Sequence, residues 1–226
     1  MAAVSPDRLI ERALAEPGAR RFPSAGPVDL LAVGKAASAM AAAWLRQQPP
    51  PGRGLVIGTH RGTADLGGLE WRQGGHPVPT AASVAAGRDA LALAVGVRPD
   101  RCLVVLLSGG ASAVMAVPLG GLSLEDKRAT VSALLAAGAD IGQLNTVRKH
   151  LSAVKGGRLA AACAGATWTL AVSDVVGDDP AVIGSGPTVP DPTTFADALD
   201  VIASLRIGAR LPSAVRSHLE AGARGE

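Results

Sequence analysis

The chain of 226 residues contains no tyrosine, and only 2% of its residues are aromatic. Proteins that hold single-stranded nucleic acid stack its bases on aromatic rings, so this composition speaks against that class. The charge agrees: 22 basic and 19 acidic residues give a formal net charge of only +3, with the basic residues scattered along the chain. Cysteine is nearly as scarce. Cys102 lies in an apolar run and Cys163 in a helical one, neither within a C-x-x-C pair. That excludes a zinc ribbon and a disulfide framework, and it suits two small buried hydrophobes in a reducing cytoplasm. The N-terminal MAAVSPDRLI lacks the apolar core of a secretion signal. The longest uncharged stretch, Cys102 to Leu124, is cut by Gly109-Gly110, Pro118 and Gly120-Gly121, which argues against a membrane-spanning helix.

What the chain has in quantity is alanine, glycine and branched aliphatics. At 48% hydrophobic it can bury a core and reads as one large domain. Strand patterns are predicted at Val28–Val33, Gly54–Thr59, Leu69–Gln73, Arg101–Leu107 and Thr167–Val172. Helices are predicted from Ser5-Pro6, over Ala36–Gln47, from Thr80 to Val95, from Ser123 to Gly138, from Asp140, over Arg158–Cys163, over Phe195–Leu205 and over Pro212–Glu220. Strands alternating with helices imply a three-layer α/β/α Rossmann-like domain with a mostly parallel sheet.

Three strand exits carry chemistry. After Val33 come Gly34 and Lys35, then a helix start, a geometry that favours anions. This is not a Walker A loop, because Asp29 stands where glycine is required and Ala36 replaces Ser/Thr. Lys35 is either a solvated helix-start lysine or a functional one. After Leu107 come Ser108, Gly109, Gly110 and Ser112, either a phosphate or carboxylate cradle or a tight turn. After Val172 comes the third, a loop running to Pro192 with four acidic residues, four prolines and three glycines. A long rigid loop at a strand end is usually functional, and Asp174, Asp178 and Asp179 suit a metal–phosphate group. Ligands of open parallel sheets bind at the carboxyl ends of the strands, so all three exits are expected on one edge. His76, before Pro77 in a glycine turn, is either a turn residue or a catalytic one. Finally, Leu144, Val147, Leu151 and Val154 form an apolar stripe opposite Asn145, Arg148, Lys149, Ser152 and Lys155. That second face is charged in one sign without acidic i,i+4 partners, which tilts it from a solvated face toward anion binding.

Four motifs carry a resemblance: VGKAA (33–37), LSGGASA (107–113), LNTVRKHLSAVKGGRLA (144–160) and SDVVGDDPAVIGSGPTVPDP (173–192). In content, order and spacing they resemble the glycerate 2-kinases of the MOFRL-containing type, over nearly the whole chain. The resemblance implies transfer of the ATP γ-phosphate to the 2-hydroxyl of D-glycerate with a divalent metal, here Mg²⁺. It implies Lys35 as catalytic lysine and Asp174 as base or metal ligand, with Asp178 and Asp179 in reach of the metal. Ser108, Gly109, Gly110, Ser112, Arg148, Lys149 and Lys155 are then assigned to carboxylate or phosphate contacts. Some relatives carry the label hydroxypyruvate reductase, but the chain lacks a G-x-G-x-x-G fingerprint, since Gly184-Ser185-Gly186 leads to Val189. Members of this family also have a second, C-terminal domain that lends an arginine to the interdomain cleft. This sequence stops at Glu226, about where that domain should begin. The expectation is a poor kinase alone: a catalytically incomplete binding module, or half of a split enzyme served by a separate partner chain. Homo-oligomerisation stays open.

Overall fold

The computed structural model describes residues 5–15, 27–173 and 175–226. Asp174 therefore lies outside the described residues. In chain order the elements are α1 (Pro6–Ala15), β1 (Val28–Val33), α2 (Ala37–Gln47), β2 (Gly54–Gly58), β3 (Glu70–Gln73), α3 (Ala81–Val95), β4 (Cys102–Ser108), α4 (Ala111–Val114), α5 (Leu124–Ala136), α6 (Ile141–His150), α7 (Arg158–Ala161), β5 (Ala166–Val172), α8 (Phe195–Ser204) and α9 (Ser213–Ala223). The strands form one sheet in the order β3-β2-β1-β4-β5, with every pairing parallel. The expected Rossmann-like α/β architecture is borne out.

Burial explains the order. The apolar runs of β1 and β4 are covered on both faces and take the centre, as parallel strands must. β3 and β5, with partly exposed side chains, take the edges. On one face Ile10, Met40 and the fully buried Trp44 pack against Leu30, Val56, Val104 and Leu106. On the other, Ala86, Ala90 and Ala94 of α3 bring that helix close to Leu31, Ile57 and Val105. A third cluster, built from Leu134, Val147, Ile202, Val215 and Leu219, joins α5, α6, α8 and α9. Capping boxes start α3 at Thr80, α5 at Ser123, α6 at Asp140 and α8 at Thr194.

One expectation needs correction. The helix from Asp140 ends at His150, so its apolar stripe does not run on as one face. Leu144, Val147 and Leu151 join the helical cluster, whereas Val154 enters the core beneath the sheet. The opposite face is not solvated either: Asn145, Lys149, Ser152 and Lys155 are all buried. Packing between two cores covers α6 and the turn after it on both sides, which helical periodicity alone does not reveal.

The amino edge of the sheet is closed by paired charge. The carboxylate of Asp29 is fully buried and accepts from Arg53 Nη2 at 2.6 Å and Arg101 Nη2 at 2.6 Å. Burial pushes its pKa up, but the hydrogen bonds from Arg53 and Arg101 outweigh this and hold it below the ordinary carboxylate value. A cavity of about 530 Å³ lies nearby, but its arginines Arg53 and Arg72 are already paired with carboxylates.

Candidate functional site

Register brings the three strand exits level: Val33 pairs with Leu107, and Leu107 with Ala171. The loops beyond β1 and β4 are stitched together. The Lys35 N–H donates to the Gly109 carbonyl at 2.9 Å. The Ala36 N–H donates to Ser108 Oγ at 3.1 Å, and that hydroxyl donates to the Val33 carbonyl at 3.3 Å. Gly34 makes this possible. Its φ is +122°, and a Cβ there would lie 2.3 Å from Ser108 Oγ. The buried Ser108 hydroxyl is thereby spent on the scaffold, as are the backbone donors of Lys35 and Ala36. The cradle expected from sequence is closed at those atoms.

The Lys35 side chain remains exposed. It crosses Gly110, where a Cβ would lie 3.1 Å from Lys35 Cγ and 3.1 Å from His76 Cδ2. Gly110 has a φ of +84°, so glycine suits both the turn and the approach. Burial lowers the His76 pKa, and the Lys35 charge lowers it further. The sequence allows His76 as a turn residue or a site residue; the fold sets it beside Lys35.

Next to this pair, Ser112 is the hub of a polar network. Arg148 Nη2 donates to the Ser112 hydroxyl, which also meets Ser185 Oγ at 2.9 Å. Ser185 Oγ donates to Asn145 Oδ1 at 2.9 Å, and Lys155 Nζ donates to the Ser112 carbonyl at 2.8 Å. Ser112, Arg148 and Lys155 line a cavity of about 320 Å³, together with Lys127 of α5. Burial pushes the Lys127 pKa down to about 7, with the Arg148 charge adding to the effect. Burial also lowers Lys155 well below the ordinary lysine value, helped by Arg148 and Lys127, and it lowers Arg148. Lys127 carried no signal in the sequence, where it sits among acidic neighbours on a seemingly ordinary surface helix. Lys149, by contrast, is not brought to this cavity. It pairs with Asp191 at 3.3 Å, a partner 42 residues away that no i,i+4 pattern can show.

In the acidic loop Asp178 and Asp179 are exposed. Asp179 Oδ1 accepts the Ala181 N–H at 2.8 Å, while Asp178 borders a depression of about 720 Å³ beside Ser173, Arg12 and Met40. Among the described residues no group of three His, Cys, Asp or Glu is gathered to hold a metal ion. Two solvent-facing carboxylates do fit Mg²⁺ by donor type, since that ion takes one or two carboxylates and keeps waters.

A family model described as a domain of unknown function, DUF4147, matches residues 1–220. A protein of Agrobacterium vitis, provisionally named a hydroxypyruvate reductase, is 46% identical over 199 residues, covering 87% of this chain and 45% of the relative. The glycerate 2-kinase of Pyrococcus horikoshii is 39% identical over 223 residues, covering 99% of this chain and 49% of the relative. A crystal structure of a glycerate kinase from Thermotoga maritima superposes with a TM-score of 0.85 at 36% identity, covering 96% of this chain and 51% of that one. The chain thus spans about half the length of the curated relatives it matches. The resemblance to glycerate kinases expected from the motifs is borne out, and it extends over nearly the whole chain.

Proposed function

The chain belongs to the family described as domain of unknown function DUF4147, and from that premise we propose that it forms the Rossmann-like wall of a glycerate 2-kinase. The reaction moves the ATP γ-phosphoryl group to the 2-hydroxyl of D-glycerate. The observation that carries this reading is the exposed Lys35 at the carboxyl edge, level with the acidic loop and set beside a cavity of basic side chains that have no carboxylate partner among the described residues.

Phosphoryl transfer needs positioning and charge neutralisation more than covalent help. The Lys35 ammonium balances charge on the phosphoryl group in flight. His76, held toward its neutral form, leaves Lys35 as the cation at that point. The acceptor hydroxyl gives its proton to Asp174 as its oxygen bonds to the γ-phosphorus, and the bond from that phosphorus to the β-bridging oxygen breaks to release ADP. Alternatively, Asp174 serves as a metal ligand. Asp178 and Asp179 are the described residues that would hold Mg²⁺, which would neutralise the triphosphate.

The relatives are about twice as long as this chain, so the remaining half-site is proposed to come from the portion they have beyond the match, in the same polypeptide or a partner. That length difference also supports a second reading, a binding module that holds the ligands without turning them over. Within the first reading, ATP and Mg²⁺ are cosubstrate and metal, and the setting is cytoplasmic. Among the described residues, no helix is long and apolar enough to cross a membrane. The test is formation of 2-phosphoglycerate from ATP, Mg²⁺ and D-glycerate, followed by phosphorus NMR. The chain is assayed alone and with the C-terminal half of the Pyrococcus horikoshii relative supplied in trans. Product in the mixture supports the kinase. Ligand binding without product in either sample supports the module.

A further inference from the structure

Lys127, Arg148 and Lys155 face one cavity of about 320 Å³ with no carboxylate among the described residues in ion-pair range of any of them. We infer that this cavity is an oxyanion site, which seats the carboxylate or phosphate group of a small organic acid on Lys127, Arg148, Lys155 and Ser112. The site itself stands on geometry; only the naming of D-glycerate as its occupant rests on the kinase reading above.

A buried ion without a partner is strongly unfavourable, and an apolar side chain of similar volume would be neutral or better for stability. Here three basic groups crowd together. Lys127 and Lys155 are both nearly inaccessible to solvent. Each ammonium has three donors. Lys155 shows one hydrogen bond, to the Ser112 carbonyl, and Lys127 a single long one of 3.4 Å to the Val117 carbonyl. Among the described residues nothing else accepts from either ammonium, and a bound oxyanion would supply the acceptors and the counter-charge that both lack. The depressed pKa values of the two lysines are the signature of the same shortage.

The walls suit a small acid. Val131, Leu144 and Leu151 line the cavity, and the exposed Val78 and Leu135 border it. Apolar walls keep out water and strengthen each ionic contact. One wall is pinned by Arg128, whose Nε and Nη2 donate to the Pro79 carbonyl at 2.9 and 2.5 Å. The position also fits. Pro77 in that wall follows His76, and Ser112 lies two residues beyond Gly110, over which His76 and Lys35 meet. An acid anchored here by one end would extend its remaining atoms toward Lys35. A nucleoside triphosphate would project far outside a cavity of this size.

The experiment is thermal unfolding of the full chain at pH 6.5 with D-glycerate, inorganic phosphate or chloride at equal ionic strength. At about ten times its dissociation constant, an anion seated in the cavity should raise Tm by roughly 3–6 °C over chloride for a chain of this size. A rise with glycerate alone identifies the carboxylate as the group held; a rise with phosphate identifies the phosphoryl group. Either supports the site, provided that the rise is lost in Lys127→Met and regained in part in Lys127→Arg. No rise with either anion overturns the inference, and so does an undiminished rise in Lys127→Met, which would place the anion elsewhere. Should Lys127→Met fail to fold, the unmutated chain still decides: the Lys127 Cε resonance should move toward its charged position on anion addition, and a stationary resonance overturns the proposal. None of these readouts needs turnover. A chain that binds the acid but makes no product refutes the kinase reading alone, and a kinase that shows no Lys127-dependent binding refutes this inference alone.

Discussion

The Lys35 side chain and the His76 imidazole share the space above Gly110, each 3.1 Å from where a Cβ on that glycine would stand. Forty residues separate them in sequence: the parallel pairing of β1 with β4 brings Lys35 over Gly110, and the turn after β3 carries His76 to the same glycine. Removing the lysine charge should therefore raise the His76 pKa in Lys35→Ala, while burial still holds it below the ordinary histidine value. An NMR titration of the His76 ring protons checks this. An unchanged titration would mean that the two groups do not face each other.

Gly34 is the hinge of the stitched loops. In Gly34→Ala the new methyl would meet Ser108 Oγ and the Ser108 carbonyl at 2.3 and 2.5 Å, at a φ of +122°. The expected loss is about 2–4 kcal/mol, since backbone at the sheet centre must shift. Chemical denaturation should show it as a lower midpoint at unchanged slope.

At the opposite edge, Asp29→Ala leaves Arg101 partly buried without its partner. Breaking a buried pair costs about 3–5 kcal/mol, and the same carboxylate predicts acid sensitivity. Its folded pKa is depressed, so its stabilisation is present above the unfolded value of 3.8 and is lost as pH falls through the folded pKa. Denaturation midpoints measured across the acid range in wild type and variant should converge as that pH is passed.

Lys127 predicts a dependence of the same sign at higher pH. Its pKa falls from 10.5 when unfolded to about 7 when folded. Between those values the unfolded chain binds the extra proton, so unliganded stability should rise with pH from about 7 upward. The groups facing Lys127 are Lys155, Arg148 and, on its own helix, Arg128, all basic. Comparing wild type with Lys127→Met isolates the effect: the rise should be shallower in the variant. Affinity for a small acid should fall over the same range, because the anion requires the charged lysine.

Much of the fold was legible because it depends on local signals. Apolar runs located β1 and β4, and the capping residues Thr80 and Ser123 located the starts of α3 and α5. Level strand ends followed from parallel pairing, so the convergence of Lys35 and Ser112 on one edge was legible too. What stayed hidden depends on distant contacts. Lys149 finds Asp191 across the molecule, Ser108 spends its hydroxyl on β1, and Lys127 reaches a cavity built from four separate segments. None of these leaves a spacing in the chain. Asp174, the acid favoured by motif, falls outside the described residues.

The central claim is that Lys35 takes part in phosphoryl transfer on this edge. It is tested most directly by the rate of 2-phosphoglycerate formation from ATP, Mg²⁺ and D-glycerate in the chain joined to the C-terminal half of its Pyrococcus horikoshii relative, with and without Lys35→Ala. The account predicts a loss of roughly a hundred- to a thousandfold in kcat with the fold intact. Unchanged turnover in Lys35→Ala would contradict it.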